Sequence, residues 1–427
     1  MEPSVAAMME IDQVPADFPV GFSLLTAGDY QYVAYYDARR QMTVASRRVA
    51  EEKWHYTRLP SFVGADSHNY VTMAVDDAGF LHLSGNMHCV PLIYFRSEHP
   101  WDATSLQQVP AMVGRDENRC TYPQFMRGPG NAFLFHYRTG SSGNGNEIYN
   151  VYDVAAKRWS RLLETPLTSG EGAMNAYMNG PLVGPDGYYH LCWVWRDTPD
   201  CATNHDLSYA RSKDLLHWET VAGEAVTLPI TIVTPGLVVD PIPVGGGIIN
   251  GCHGMGFDAD GRVVITYHKF DAEGNTQAYA ARFEQGKWQN RQISNWTYRW
   301  YFSGNGSIPF EIHLGRAVLG KDGTMALTFQ HSKHGAGMLR IDAATLRPLG
   351  TEPAPVRFPA HLNASTSPFP GMQVKWVGDH GKASEPGVRY VLRWETLAHN
   401  NDRPREGVLP DPSRLILYTL REPKPAQ

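Results

Sequence analysis

Histidine, tyrosine and arginine recur in this chain at the edges of short apolar runs, where strands should begin or end. The first such places are Ser67-His68-Asn69 and Asn86-Met87-His88, and the next are Thr121-Tyr122 and Tyr137-Arg138. Further along, the same places hold Asn175 and Arg196, then His253 and His268, then His313 and His331. Together these residue types suit abstraction of a proton α to a carboxylate. Arg138 can hold a carboxylate through two parallel N–H···O bonds and so acidify the adjacent C–H. His68, His88 or Tyr122 can then serve as base and acid. One loop histidine alone is commonly a solvated or capping residue; recurrence at equivalent places argues for a shared rim.

The rival chemistry is a pair of carboxylates at glycosidase spacing. Asp66, Glu117 and Asp197 stand near expected strand ends but form no opposed pair in sequence. Gly140-Ser141-Ser142-Gly143-Asn144-Gly145 is rich in glycine, yet it lacks a Walker lysine and a following helix. It reads as a flexible lip and not as a nucleotide site.

The elements that must position these residues come from a repeat. An apolar strand, an Asp/Gly-type turn and a second strand ending in a polar residue recur through the chain. Turn and second strand read TAGDYQYVAYYD from Thr26, VDDAGFLHLSGN from Val75, RGPGNAFLFHYR from Arg127 and VGPDGYYHLCWVWR from Val183. They continue as FDADGRVVITYHK from Phe257, LGKDGTMALTFQHS from Leu319 and a copy with a longer turn from Val377. Seven copies predict an all-β, seven-bladed propeller of four-stranded antiparallel blades. In that architecture the start of a blade's first strand and the end of its second lie on one face, so the polar places above share a rim. Trp54, Trp101, Trp159, Trp218 and Trp288 follow the third strands and are expected to fill the wedges between sheets.

Composition agrees with one large domain over 1–427, with short tails at about 1–17 and 422–427. A net charge of -5 offers no broad basic surface, which argues against nucleic acid or anionic membrane as partner. No apolar run approaches the length of a membrane span, and Met1 to Pro15 lacks the charged and apolar regions of a signal peptide. The five cysteines are scattered without CxxC spacing, so no disulfide framework or zinc ribbon is indicated. A monomer is the expected state.

The segments DSHNYVTMAVD, SGNMH, TYPQF, YRTGSSGNG and TNHDLSYARS give the chain a resemblance to the BNR-repeat propeller proteins that include ulvan lyases and related rhamnosyl-glucuronate lyases. In that group two histidines about twenty residues apart precede a tyrosine and, sixteen residues later, an arginine; His68 and His88, then Tyr122 and Arg138, match both spacings. The resemblance implies β-elimination at a uronate O4, cleaving an α-L-rhamnosyl-(1→4)-D-glucuronate bond and leaving a 4,5-unsaturated uronate. It implies His68 and Tyr122 as base and acid, Arg138 as carboxylate neutraliser and His88 as a further active-site residue. Substrate contacts are expected at Asn69, Asn86, Arg196, Asn204, His205, His268 and His331.

No cofactor is required for that chemistry, although the family implies a structural calcium or zinc, with Cys252, His253 and His268 as the candidate ligands. The partner is a uronate-containing polysaccharide or oligosaccharide, and the family is usually secreted or periplasmic. Few cations stand among the named rim residues, which favours an unsulfated chain over sulfated ulvan. The alternatives are a propeller α-L-rhamnosidase on the same linkage and a non-catalytic glycan-binding propeller.

Overall fold

The computed structural model describes residues 2–423 apart from Lys382 and Ser384. Among these residues the chain forms seven hydrogen-bonded sheets built from antiparallel neighbours. In the first sheet Ser23–Ala27, Tyr30–Tyr36, Gln41–Arg48 and His55–Phe62 follow one another as a meander. The pattern repeats through the chain, and the first strands of successive sheets lie side by side. Ser23–Ala27 packs beside Val71–Val75, which packs beside Cys120–Arg127; Asn175–Val183 likewise packs beside Gly254–Phe257. Gln373–Gly378 of the last sheet returns to Ser23–Ala27, so the order of sheets closes on itself as in a propeller.

The repeated turn has a local cause. In VDDAGF the Asp76 carboxylate accepts the backbone N–H groups of Ala78 and Phe80, both at 2.9 Å, and Gly79 takes the left-handed φ of 86° that the turn requires. In several copies the strand after the turn is buried on both faces by neighbouring sheets. Leu81–Gly85 and Tyr189–Arg196 are buried at every position, which is why these strands read as continuous apolar runs and not as alternating ones. Trp54, Trp159 and Trp218 are buried in the wedges between sheets. Trp101 is 37% exposed, with its ring stacked on Tyr30 of the preceding sheet at 5.6 Å.

One expectation is corrected at the N-terminus. Ser4–Val14, assigned to a tail by sequence, is the outermost strand of the last sheet and pairs with Ser413–Arg421. Both chain ends therefore meet in one sheet, and the ring is fastened by hydrogen bonds. The last strand stops at Arg421, and residues 424–427 lie outside the described ones. Among the described residues no helix is long and apolar enough to cross a membrane.

Candidate active site

His68 sits on the loop that leads into Val71–Val75, and His88 opens the short strand His88–Val90 just after the second strand of that sheet. That short strand leaves its own sheet and pairs with the free edge of Cys120–Arg127, placing His88 opposite Thr121. The next residue, Tyr122, is at φ 58°, where the pairing of Cys120–Arg127 with Phe133–Ser141 slips between Thr121 and Gln124. A bulge of this kind re-aims a side chain at a cost in backbone strain. Here it sets the Tyr122 ring 5.8 Å from that of His68.

Asp66 orders the two histidines. Its Oδ1 is 2.9 Å from Nδ1 of His68 and its Oδ2 is 2.5 Å from Nδ1 of His88. The two rings stand 4.2 Å apart. A second carboxylate, Asp402, lies 3.1 Å from the same Nδ1 of His68. With both Nδ1 atoms turned to carboxylates, Nε2 is the nitrogen each ring has left for a substrate. Burial pulls the His68 pKa down, but Asp402 and Asp66 outweigh it and push it up to about 9. Against their own burial, His68 and His88 hold Asp66, and His68 with the Ser307 hydrogen bond holds Asp402, below the usual carboxylate range. Burial raises the Tyr122 hydroxyl and Tyr177 adds to that, while Arg138 and Arg196 oppose it.

His68, His88 and Tyr122 line a cavity of about 380 Å³, within the size range of small-ligand sites. Arg196 and Asn250 continue its wall, with Phe310, His313, Lys375 and His399 also lining it. Arg196 donates to the backbone oxygens of Thr198 and Pro199. Lys375 makes no ion pair among the described residues, and burial lowers its pKa. Burial, with Lys375 nearby, takes His399 down to about 4.

Arg138 is placed differently from the expectation that it clamps a carboxylate. It is only 1% exposed and does not line the cavity. Its Nη2 donates to Thr121 Oγ1 at 2.9 Å, and the guanidinium carbon lies 5.0 Å from the centre of the Tyr122 ring. The register that pairs Thr121 with Arg138 folds the long side chain under the bulge, so its charge reaches the cavity through Tyr122.

Of the seven expected substrate contacts, Arg196 alone lines this cavity. Asn69 gives its backbone oxygen to Tyr36, and Asn86 donates to Ser61 and Phe62. Asn204 donates to the Cys201 carbonyl. His205 is held between Asp197 and Asp206, each at 2.9 Å, whose charges raise its pKa against its burial. His268 is fully buried beside Trp300, and burial lowers its pKa to about 4. His331 is buried against Trp296, with Nδ1 accepting the backbone N–H of Lys333. These side chains hold loops and fill interfaces.

The proposed metal ligands do not form a set. Cys252 Sγ donates to the Ile312 carbonyl, and Cys252, His253 and His268 do not gather into a ligand cluster among the described residues. The donor-rich cluster is instead Asp66, His68, His88 and Asp402, with ligand atoms within 4.8 Å of one another. Imidazole–carboxylate hydrogen bonds account for that grouping, since each Nδ1 already faces an oxygen.

Sequence reasoning weighed Asp66 only as one of a glycosidase pair and passed over Asp402, Lys375 and His399. Asp66 stands two residues before His68, at the spacing of a side chain that bonds its own loop. The other three occupy the rim places of the seventh sheet, on Gln373–Gly378 and just beyond the end of Val388–Thr396, where the longer turn obscured the repeat.

The fold and rim define a β-propeller with an ionisable cavity on one face. The family model for BNR repeat-containing family members matches residues 30–296, and the chain belongs to that family. No curated protein matches the sequence. Among solved structures, polysaccharide lyase Uly1 superposes with a TM-score of 0.65 at 13% identity, over 98% of this chain and 99% of its own. A PL25 ulvan lyase superposes at 0.60 with 12% identity, over 95% and 94% of the two chains. The same type of lyase bound to -[GlcA(1-4)Rha3S]- gives 0.59 at 12% identity, again over 95% and 94%. At these identities the likeness establishes the propeller fold.

Proposed function

We propose that the chain is a polysaccharide lyase that cleaves α-L-rhamnosyl-(1→4)-D-glucuronate bonds by β-elimination, acting on ulvan or on rhamnose-capped glycans. The observation that carries this reading is the use of one carboxylate, Asp66, to turn two imidazoles toward the cavity wall that also holds Tyr122. In a glucuronate the C5 proton and the O4 leaving group lie on the same side of the ring, so base and acid must share one wall.

His88, with Nδ1 directed at Asp66, presents Nε2 as the base that takes the C5 proton. The C5–H electrons form the C4=C5 double bond, the C4–O4 bond breaks, and O4 takes the phenolic proton of Tyr122. His68, held as an imidazolium between two carboxylates, and Arg196 neutralise the uronate carboxylate so that charge can build at C5. Arg138, beneath the Tyr122 ring, stabilises the phenolate left behind. Lys375 adds a cavity cation, so a shortage of positive charge no longer speaks for an unsulfated chain.

The test is incubation with ulvan and with a rhamnose-capped arabinogalactan while ultraviolet absorbance of the unsaturated uronate is followed. A rise with either supports elimination. Release of free rhamnose without that absorbance would assign the chain to the hydrolases instead.

A further inference from the structure

Asp402 lies on the connection between Val388–Thr396 and Ser413–Arg421, in the sheet where the two chain ends meet. Its carboxylate touches two other parts of the ring. Oδ2 accepts the Ser307 N–H at 2.8 Å and stands 3.1 Å from Nδ1 of His68. Oδ1 accepts from the Ser67 amide at 3.3 Å and its hydroxyl at 3.2 Å.

The connection is built to hold that pose. Asn401 and Asp402 both take left-handed φ values, 54° and 58°, which non-glycine residues adopt only when their surroundings impose it. Asn400 Nδ2 donates to the Ala65 carbonyl at 2.7 Å, and Arg405 Nε donates to the Asp17 carbonyl at 2.8 Å. Gly306 sits against Asn401 so closely that a Cβ there would lie 2.6 Å from the Asn401 oxygen.

We propose that Asp402 is a positioning residue for the reaction, acting through His68: jointly with Asp66 it fixes that imidazole as a cationic donor with Nε2 toward the substrate. This rests on the reading of the cavity as a lyase site. The groups facing His68 are Asp66, Asp402, His88, Tyr122 and His399. Asp66 divides its two oxygens between His68 and His88, so it alone gives His68 half a carboxylate. Asp402 pairs directly with no other imidazole, and although its charge is also felt by His399, its close contact is with His68.

The experiment is an NMR titration of the histidine ring protons in the full chain, with His68 assigned by His68→Gln, in wild type, Asp402→Asn and Asp402→Glu. The wild-type midpoint should stand well above the ordinary histidine value. Asp402→Asn should lower it by about one pH unit or more, and Asp402→Glu should restore it. The alkaline limb of kcat against pH should move with the midpoint, while a merely structural role would move neither.

A wild-type midpoint in the ordinary histidine range overturns the proposal, and that measurement stands even if Asp402→Asn fails to fold. An unchanged midpoint in a folded Asp402→Asn also overturns it. So does a wild-type titration that moves when a chelator is added, because the cluster would then hold a cation. The titration needs no turnover, so absence of lyase activity would remove the reaction while leaving the placement of Asp402 to be judged by itself.

Discussion

Two regions of the ring carry histidines at equivalent places and use them in opposite ways. At the second sheet, His68 and His88 reach a cavity and meet carboxylates, and the pKa of His68 is pushed up to about 9. At the fifth, His253 and His268 are buried with all four ring nitrogens unpartnered, and burial lowers both to about 4. The residue type is the same and each pair stands near the same end of its sheet, although His268 lies within its strand while His88 lies beyond the end of its own. The difference is the presence of Asp66 and Asp402, so a neighbouring carboxylate, and not the imidazole itself, separates a chemical group from a packing group.

The largest effect should come from removing the phenol. Tyr122→Phe keeps the ring over Arg138 and deletes the proton that O4 needs, so kcat should fall by about 10²–10⁴ with the thermal midpoint nearly unchanged. Initial rates of uronate absorbance, together with a melting curve, check it. A rate within a few-fold of wild type would remove Tyr122 from the reaction and would make the second region no more chemical than the fifth. Asp66→Asn should come next. It loosens both imidazoles at once and should lower kcat by about 10–100-fold, beyond what His268→Leu does. His268→Leu should leave turnover within a few-fold, because no bond is lost when an unpartnered buried imidazole becomes apolar.

The propeller was legible because the Asp/Gly turn is a local device that leaves the same trace in each copy, as Asp76 and Gly79 do. The place rule also brought His68, His88, Tyr122 and Arg196 to one cavity wall. It failed at His268 and His331 because strand position fixes which end of the sheet a residue occupies but not whether loops such as 295–311 cover it. It failed at Arg138 because the bulge at Tyr122 is invisible in residue order. Asp402 was beyond reach for a further reason: its contacts with Ser67 and His68 join positions more than three hundred residues apart, through a loop with no repeat signature.

The two regions should also respond to pH with opposite sign. A histidine whose folded pKa is raised adds stability that is full below its ordinary value of 6.5 and is lost as pH rises through the folded value. His68 therefore stabilises the fold up to neutral pH, and its contribution fades toward and beyond pH 9. His253 and His268 are held neutral, so their burial is tolerated above 6.5 and costs stability as pH falls toward 4, where only the unfolded chain binds the proton. Thermal midpoints across pH should show both slopes. Asp402→Asn should flatten the alkaline one and His268→Leu the acid one. If His268→Leu flattens the alkaline limb, or Asp402→Asn leaves it unchanged, the electrostatic contrast between the regions is wrong; Asp402→Asn also removes a carboxylate held below its usual range, so its effect below about pH 4 does not bear on the comparison.

The smallest effect sharpens the comparison within the cavity itself. Lys375 faces the same space as His68 but lacks a carboxylate partner among the described residues, so it meets the substrate without a competing anion, whereas His68 is also engaged by Asp66 and Asp402. Lys375→Gln keeps the length and polarity and removes the charge. On a chain with sulfate beside the uronate, KM should rise by about tenfold with kcat little changed, the mark of a group that binds ground state and transition state alike. On the desulfated chain the rise should be smaller. Equal rises on both would place Lys375 on the reacting uronate, and with it part of the neutralising role given to His68.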